Sequence, residues 1–379
     1  MDEEASQVKQ DWVSMEMIRR EKEYCSWENV QIAIGTWNVN GRWITEDLDE
    51  WLRIGSSEPD LIVLGLQEMD LTTEAYLVDD KMREDHWCQM VEKALEKHTT
   101  DYIKVTSKQL IGMLLLVYIK EEHASSVREV STASAGCGIM GRMGNKGGVA
   151  IRLQWRNTLL CFVNSHLAAD QGQTERRNQN YDEICSSLRF SLFIFWMGDL
   201  NYRINLPEAK LRPLLDSGSY PSVLEFDQLA MEIKAGRVFE GFKEGEVEFC
   251  PTYKYDIGTN QFDTSEKRRL PAWCDRILWR TPLEGDEHRI KLSSYTSHMS
   301  FSMSDHKPVS ATFSLQLRSV NEHQRSQVQA SIVRQLDRME NERIPDAAVD
   351  KNAIDLGQVE YLTPMSQSLV IKNTGKVGD

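Results

Sequence analysis

Cysteine is scarce: seven occur in 379 residues (Cys25, Cys88, Cys137, Cys161, Cys185, Cys250, Cys274), an odd number with no C-x-x-C pair. Such a set indicates neither a disulfide framework nor a thiolate zinc site, and a reducing, cytosolic setting is expected. Long apolar runs are missing too. The longest, Leu110 to Ile119, is too short to span a bilayer, and the N-terminal MDEEASQVKQDWVSMEMIRREKEY lacks the apolar centre of a signal peptide. A soluble chain is expected, with any membrane contact peripheral. Positive charge is outweighed, 44 Lys and Arg against 58 Asp and Glu, for a net charge of -14. That balance argues against bulk attraction to nucleic acid or to an anionic membrane. An anionic substrate would need a local basic patch, for which Arg142 and Lys146, Lys254, and the dense group Lys267, Arg268, Arg269 and Arg276 are candidates. Taken alone, such a cluster fits a solvated face better than a binding site. Repeats, low-complexity tracts and a Walker A loop are absent from the sequence.

What is present is enough apolar content, 41% of residues, for a large core. Residues 1–27 read as a charged helix or tail in which Trp12, Met15 and Ile18 make a narrow apolar stripe. From Gln31 onward, short apolar segments alternate with helix-like or loop-like stretches, which predicts an α/β or α+β domain over 28–318. Four segments end on polar groups: IAIGTWN on Asn38, LIVLGLQE on Glu68, LLCFVNSH on His166, and LFIFWMGDLN on Asp199 and Asn201. Two more open on them, CDRIL on Asp275 and SDHKPV on Asp305 and His306. Buried strands that finish this way place carboxylates, amides and imidazoles along a sheet rim, where they can converge. After Leu317, Val328, Ile332, Leu336 and Met339 recur at helical spacing and predict a linker helix within 319–347, ending near Pro345. Residues 348–379 read as two strands with a turn at Asn373 to Gly375, the start of a truncated β-domain. The apolar stretch Ile111 to Leu116 fits a buried strand better than a lipid contact.

The segment GCGIMG (136–141) matches G-x-G-x-x-G, but a glycine-rich loop and another strand pattern follow it, and Cys161 stands where an acidic residue is needed, so a dinucleotide site is not expected. Its glycines and Lys146 suit approach to a phosphate, or a simple tight turn. Glu68 supported by Asn38 would suit magnesium, a hard cation that keeps most of its waters; Glu68 alone fits a structural cap equally well. Asp199 and Asn201, in GDLN, form a pair able to orient or deprotonate water. His306 needs an orienting carboxylate, for which Asp275 is the candidate.

These residues resemble the inositol polyphosphate 5-phosphatases, within the DNase I, sphingomyelinase and AP-endonuclease superfamily. The resemblance covers about residues 28–318 through TWNVNG (36–41), QEMDL (67–71), GRMGNKGGVAIR (141–152), NSHLAA (164–169), GDLNYRI (198–204), PTYKYD (251–256), RLPAWCDRIL (269–278) and SDHKPV (304–309). It implies a four-layer αββα sandwich that hydrolyses the 5-phosphate of phosphoinositides by direct water attack, foremost that of phosphatidylinositol 4,5-bisphosphate. It further implies Mg2+ on Glu68 and Asn38, and an attacking water placed by Asp199 and Asn201. His166 and His306 would contact the scissile phosphate, with Asp275 orienting His306 and Asp305 supporting the site. Tyr253, Lys254, Lys267 and Arg269 would recognise the 4-phosphate, with Asn145, Lys146 and Arg203 beside the phosphates. Residues 348–379 are similar to the opening of the ASH domain found in the branch with the type II 5-phosphatase and the Lowe syndrome protein. That branch implies cytoplasmic, peripheral placement on endosomal and Golgi membranes and a surface for Rab-type small GTPases. A monomer that binds no nucleic acid is expected; the rival readings are a nuclease or phosphodiesterase of the superfamily and a membrane-traffic adaptor. The chain departs from the family in CSSLRFSLFI (185–194), shorter than usual and without Gly, Pro or Asn. Strain there would displace Asp199.

Overall fold

The computed structural model describes residues 2–52, 58–70, 81–137, 146–187, 193–282, 285–342 and 347–375. Its strands are β1 (Cys25–Asn38), β2 (Leu61–Gln67), β3 (Tyr102–Leu110), β4 (Met113–Lys120), β5 (Val127–Gly136), β6 (Gly147–Trp155), β7 (Thr158–His166), β8 (Phe193–Asp199), β9 (Lys243–Glu244), β10 (Asp275–Arg280), β11 (Ile290–Ser297) and β12 (Val309–Val320), with a short pair, β13 (Ala347–Val349) and β14 (Ile371–Asn373). The helices are α1 (Asp2–Arg19), α2 (Asp49–Leu52), α3 (Lys81–Leu95), α4 (Thr174–Ser187), α5 (Glu208–Asp216), α6 (Tyr220–Leu224), α7 (Gln228–Lys234) and α8 (Glu322–Glu342).

One compact unit spans Trp27–Ser319 and contains two six-stranded sheets, ordered β11-β12-β1-β2-β4-β3 and β5-β6-β7-β8-β10-β9. Side chains alternate across a strand, and here both faces are apolar. Ile32, Val63, Leu115, Phe162, Phe195 and Met197 meet in a core shared by the two sheets. Their neighbours Ala33, Ile62, Leu64 and Leu116 turn the other way, onto Trp87 and Val91 of α3. In the second sheet Val163, Ile194 and Trp196 turn outward toward Tyr181 and Ile184 of α4 and Leu229 of α7. The result is helix, sheet, sheet, helix, the four layers implied by the resemblance. It also explains why the central strands read as continuous apolar runs. Leu110 to Ile119 resolves into a turn and the buried strand β4.

The apolar core between the sheets is interrupted near its rim by a polar bridge. Gln67 Nε2 donates to Asn164 Oδ1 at 2.6 Å, and Asn164 Nδ2 donates to the carbonyls of Leu66 and Leu114 at 2.9 Å each. Gln67 Oε1 is left without a partner, but the paired amide groups lock one sheet against the other, because any slip strands them too. Gly65 makes room for the bridge: a Cβ there would lie 2.9 Å from the Asn164 side chain.

Gly136 and Gly147 are cross-strand partners in the antiparallel β5–β6 pair. The GCGIMG region therefore joins strand to strand, as its rejection as a dinucleotide fingerprint requires. Residues 138–145, Arg142 and Asn145 among them, lie outside the described residues.

The other compact unit comprises residues 1–26 and 320–379. Tyr24, Val328 and Ile332 form its small core, with Trp12, Val13 and Met17 packed against them. This corrects the expected stripe on α1: Trp12 packs, but Met15 and Ile18 are exposed, and Val13 and Met17 take their place. On α8, Val328 and Ile332 are buried and Leu336 and Met339 half-buried. β13 and β14 pair antiparallel with every residue exposed, but they are joined through residues 350–370 and not by a turn at Asn373 to Gly375, where Asn373 Oδ1 accepts from the Gly375 amide at 3.0 Å. Among the described residues no helix is long and apolar enough to cross a membrane.

Candidate active site

Strand register brings the site together. β7 and β8 run parallel with His166 beside Asp199, and β10 runs antiparallel to β8 with Asp275 on the other side of Asp199. Three strands thus set an imidazole and two carboxylates in a row at one sheet edge. On the facing sheet, β1 and β2 run parallel with Asn38 beside Gln67, so Glu68 emerges one residue later. The two rims meet through Asn38 Nδ2, which donates to Asp199 Oδ2 at 2.9 Å, and through His306, which precedes β12 on the first sheet, has its carbonyl held by Trp37 Nε1 at 3.0 Å and reaches Asp275 of the second.

Backbone conformation at the rim is unusual. Glu68 and Asn201 occupy the left-handed region, with φ of 54° and 56°. Such conformations cost about 1–3 kcal/mol each and persist only where surroundings hold them. Just before Asp199, Gly198 has φ of +141°, and a Cβ there would lie 2.0 Å from the Ser165 carbonyl oxygen. Only glycine fits, and the chain then delivers Asp199 between its neighbours. Of the shortened join before β8, α4 ends at Ser187 and residues 188–192 lie outside the described residues; β8 itself, from Phe193, pairs with β7 in the register that sets Asp199 beside His166.

Asp199 Oδ2 lies 3.3 Å from His166 Nε2 and 3.9 Å from His306 Nε2, while Oδ1 accepts from the Asn201 amide at 3.0 Å. Burial alone would raise its pKa, but His166, His306 and Lys146 hold it well below the usual carboxylate range. His306 Nδ1 is 2.9 Å from Asp275 Oδ2, which also accepts from Thr252 Oγ1 at 2.7 Å. Burial opposes charge on His306, yet Asp275, Asp199 and Asp305 outweigh it and raise its pKa to about 9. Burial shifts Asp275 upward. Lys146 contacts His166 Nε2, and burial lowers its pKa against the pull of Asp199 and Glu68. Glu68 Oε1 stands 3.7 Å from His166 Nε2, half-buried.

A second group adjoins this row. Arg203 stacks on Tyr253 with 4.3 Å from its guanidinium carbon to the ring centroid, and Tyr253 lies 4.6 Å from the His306 ring. Arg269 Nη1 reaches Tyr253 OH at 3.4 Å and Asp170 Oδ1 at 3.6 Å. Lys254 pairs with Asp305, whose attraction raises the lysine pKa against the opposing effect of burial. Lys267 is exposed and makes no side-chain hydrogen bond or ion pair among the described residues, so the structure does not join it to this group.

Two expectations change. Arg276 does not belong to the basic patch: it is buried, bound by Glu244 at 2.6 Å and Asp227 at 3.0 Å, because it follows Asp275 on the strand and faces the opposite side. Asn201 is also less free than expected. Its Nδ2 donates to the Leu167 carbonyl at 3.1 Å and its Oδ1 accepts from Arg203 at 2.5 Å, so what it can offer a ligand is its second N–H. Sequence reasoning missed Thr252, which is anchored by Asp275, and Asp170, a carboxylate beside Arg269. Thr252 lies within the PTYKYD motif, which could have flagged it, whereas Asp170 has no periodic or motif signal of its own.

Residues 35–312 match the Endonuclease/Exonuclease/phosphatase family 2. The chain is 42% identical over 377 residues to the type II inositol 1,4,5-trisphosphate 5-phosphatase of Mus musculus, covering 96% of this chain and 37% of that protein. The chain belongs to this family, among its inositol polyphosphate 5-phosphatases. It is also 36% identical over 325 residues to inositol-1,4,5-trisphosphate 5-phosphatase 1 of Schizosaccharomyces pombe, covering 82% of this chain and 29% of that protein. The chain thus spans little more than a third of the length of such 5-phosphatases at most. A solved 5-phosphatase domain of SPsynaptojanin, in complex with inositol (1,4)-bisphosphate and calcium ion, superposes with a TM-score of 0.80 at 32% identity, covering 88% of this chain and 98% of that one. Cimex nitrophorin shares the fold at 24% identity and a TM-score of 0.60, covering 76% of this chain and 99% of that one.

Proposed function

We propose that this 5-phosphatase domain removes the 5-phosphate of phosphoinositides, with phosphatidylinositol 4,5-bisphosphate as the leading substrate and phosphatidylinositol 4-phosphate as product. The observation that carries the reading is the convergence of Asp199, His166, His306 and Asp275 beside a separate cationic group of Arg203, Lys254 and Arg269. One group suits a reacting phosphate and the other a neighbouring phosphate that is only bound. The second group also explains how a chain of net charge -14 attracts a polyanion.

A magnesium ion is the cation proposed for Glu68 and Asn38. The donors fit a hard ion: Glu68 keeps a partly exposed carboxylate, and Asn38 Oδ1, accepting from the Asn40 amide at 3.0 Å, retains a lone pair. Asp199, Asp275 and His306 also bring ligand atoms within 4.8 Å of one another. That alternative is weaker, because the carboxylates hold a proton on His306 and a protonated imidazole cannot ligate. When bound, the ion would neutralise charge on the phosphoryl oxygens.

The chain's own residues perform the rest. Asp199, ionised throughout the working range, accepts an O–H from the attacking water and aligns it. Its low basicity suits orientation more than outright deprotonation, and a loose phosphoryl transfer asks little of a base. Water oxygen bonds to phosphorus as the bond from phosphorus to the ring oxygen breaks; the water keeps one proton in the released phosphate and its other is balanced by the one the departing ring oxygen takes up to become a hydroxyl. His306, charged and held by Asp275, supplies an N–H for the charge developing on the phosphoryl and leaving oxygens. The second N–H of Asn201 and the ammonium of Lys146 serve the same oxygens. Tyr253, Arg269, Lys254 and Lys267 would hold the 4-phosphate. Peripheral contact with endosomal or Golgi membranes and a Rab-type partner for the C-terminal segment follow from the resemblance and belong to the same proposal.

The test is magnesium-dependent phosphate release from short-chain phosphatidylinositol 4,5-bisphosphate by the chain and by Asp199→Ala. The expected outcome is release that requires magnesium and falls by about 10²–10⁴-fold in the variant. Cleavage of abasic DNA with no release from the lipid would replace this reading with a nuclease.

A further inference from the structure

We infer that Arg83 is a positioning residue that fixes the two loops presenting Asn38 and Glu68, and thereby sets how tightly the site holds its divalent cation. The inference rests on the reading of Asn38 and Glu68 as cation ligands. Arg83 lies in the first turn of α3, outside every motif of the site. Its Nη1 donates to the Gly41 carbonyl at 3.1 Å and also to the Met69 carbonyl. Its Nε stands 3.9 Å from Asp70 Oδ2, and its guanidinium carbon lies 4.6 Å from the centre of the Trp43 ring. A single planar group therefore touches residues 41 and 43 of the loop after β1 and residues 69 and 70 of the loop after β2.

Those loops need holding. Asn40, Gly41 and Glu68 all have positive φ, at 47°, 67° and 54°. The loops are joined directly by the Gly41 amide on the Glu68 carbonyl at 2.6 Å and the Val39 amide on the Gln67 carbonyl at 2.9 Å. Arg83 closes the same junction from the side of α3. A cation in the first turn of a helix faces the positive end of the helix dipole, so the helix itself does not favour it there. Its carbonyl, carboxylate and aromatic contacts do. They use the planar fork of a guanidinium, which a lysine ammonium reproduces only in part. Groups that orient a metal ligand from behind typically change metal affinity or activity about 10–100-fold when removed; Arg83 touches neither substrate nor the reacting groups, so its loss should fall on affinity.

The experiment compares the full chain with Arg83→Ala and Arg83→Lys, using magnesium chloride alone as the probe. Melting temperature against magnesium concentration gives a binding midpoint without turnover; phosphate release against magnesium gives half-saturation and the saturated kcat. The expected result is a midpoint raised about tenfold in both readouts for Arg83→Ala, a saturated kcat near that of the parent, and partial recovery in Arg83→Lys. If Arg83→Ala fails to fold, Arg83→Lys carries the test. A folded variant with the parental magnesium midpoint overturns the role of Arg83 while leaving the functional reading intact. A parent chain whose melting ignores magnesium overturns both.

Discussion

At the scale of single residues, the centre of the site is a balance between burial and charge. His306 is fully enclosed, which by itself would drive it neutral, yet Asp275, Asp199 and Asp305 raise its pKa from 6.5 to about 9. Because the folded-state value is raised, the contribution of the charged ring is complete below pH 6.5 and fades as pH climbs through about 9. The expected pH profile of kcat/KM thus has an alkaline limb near 9, and Asp275→Asn, which removes the strongest attraction, should move that limb toward 6.5. A limb unmoved in that variant would mean another group sets it. The convergence of Asp199, Asn38, Glu68 and His306 could be anticipated because strand-end polar groups and family motifs both mark them. The engagement of Asn201 by Leu167 and Arg203, and the burial of Arg276, could not: each depends on which face of the chain a neighbouring segment covers.

At the scale of elements, the site depends on strand register. A one-residue slip of β8 would turn Asp199 to the opposite face and leave His166 and Asp275 without it. Gly198 is the tightest point of that arrangement, since an added Cβ would meet the Ser165 carbonyl in a backbone conformation closed to other residues. Gly198→Ala should lower unfolding stability by about 3 kcal/mol or more, read from urea midpoints, with activity falling as Asp199 moves. Retention of parental stability would show that β7 and β8 can separate without cost. The strands were legible because each is apolar on both faces, a signal that survives without tertiary information. The helical stripe of residues 1–27 was misread because its partner lies more than 300 positions away. Tyr24, Val328 and Ile332 select Val13 and Met17, not Met15 and Ile18, as the packed side chains.

At the scale of the whole molecule, every described residue assigned to the site falls within the unit Trp27–Ser319. A chain cut to residues 25–320, which keeps β1 and β12 whole, is expected to fold and to retain magnesium-dependent phosphate release with kcat within about twofold of the parent, since the cut removes no core or site residue of that unit. Loss of activity in that folded fragment would show that residues outside it support catalysis. The sequence by itself determined the chemistry available to this protein: strands buried on both faces, polar groups at their ends, and motifs that identify a phosphatase family. These are local properties, written in the order and period of side chains. Only the tertiary structure decided which groups meet. Asn38 reaches Asp199, Asp275 captures His306 and Thr252, and Arg83 spans two loops because distant strands pair in one register and two sheets lock face to face. These hydrogen bonds join residues 23 to 161 positions apart, where neither periodicity nor composition carries information.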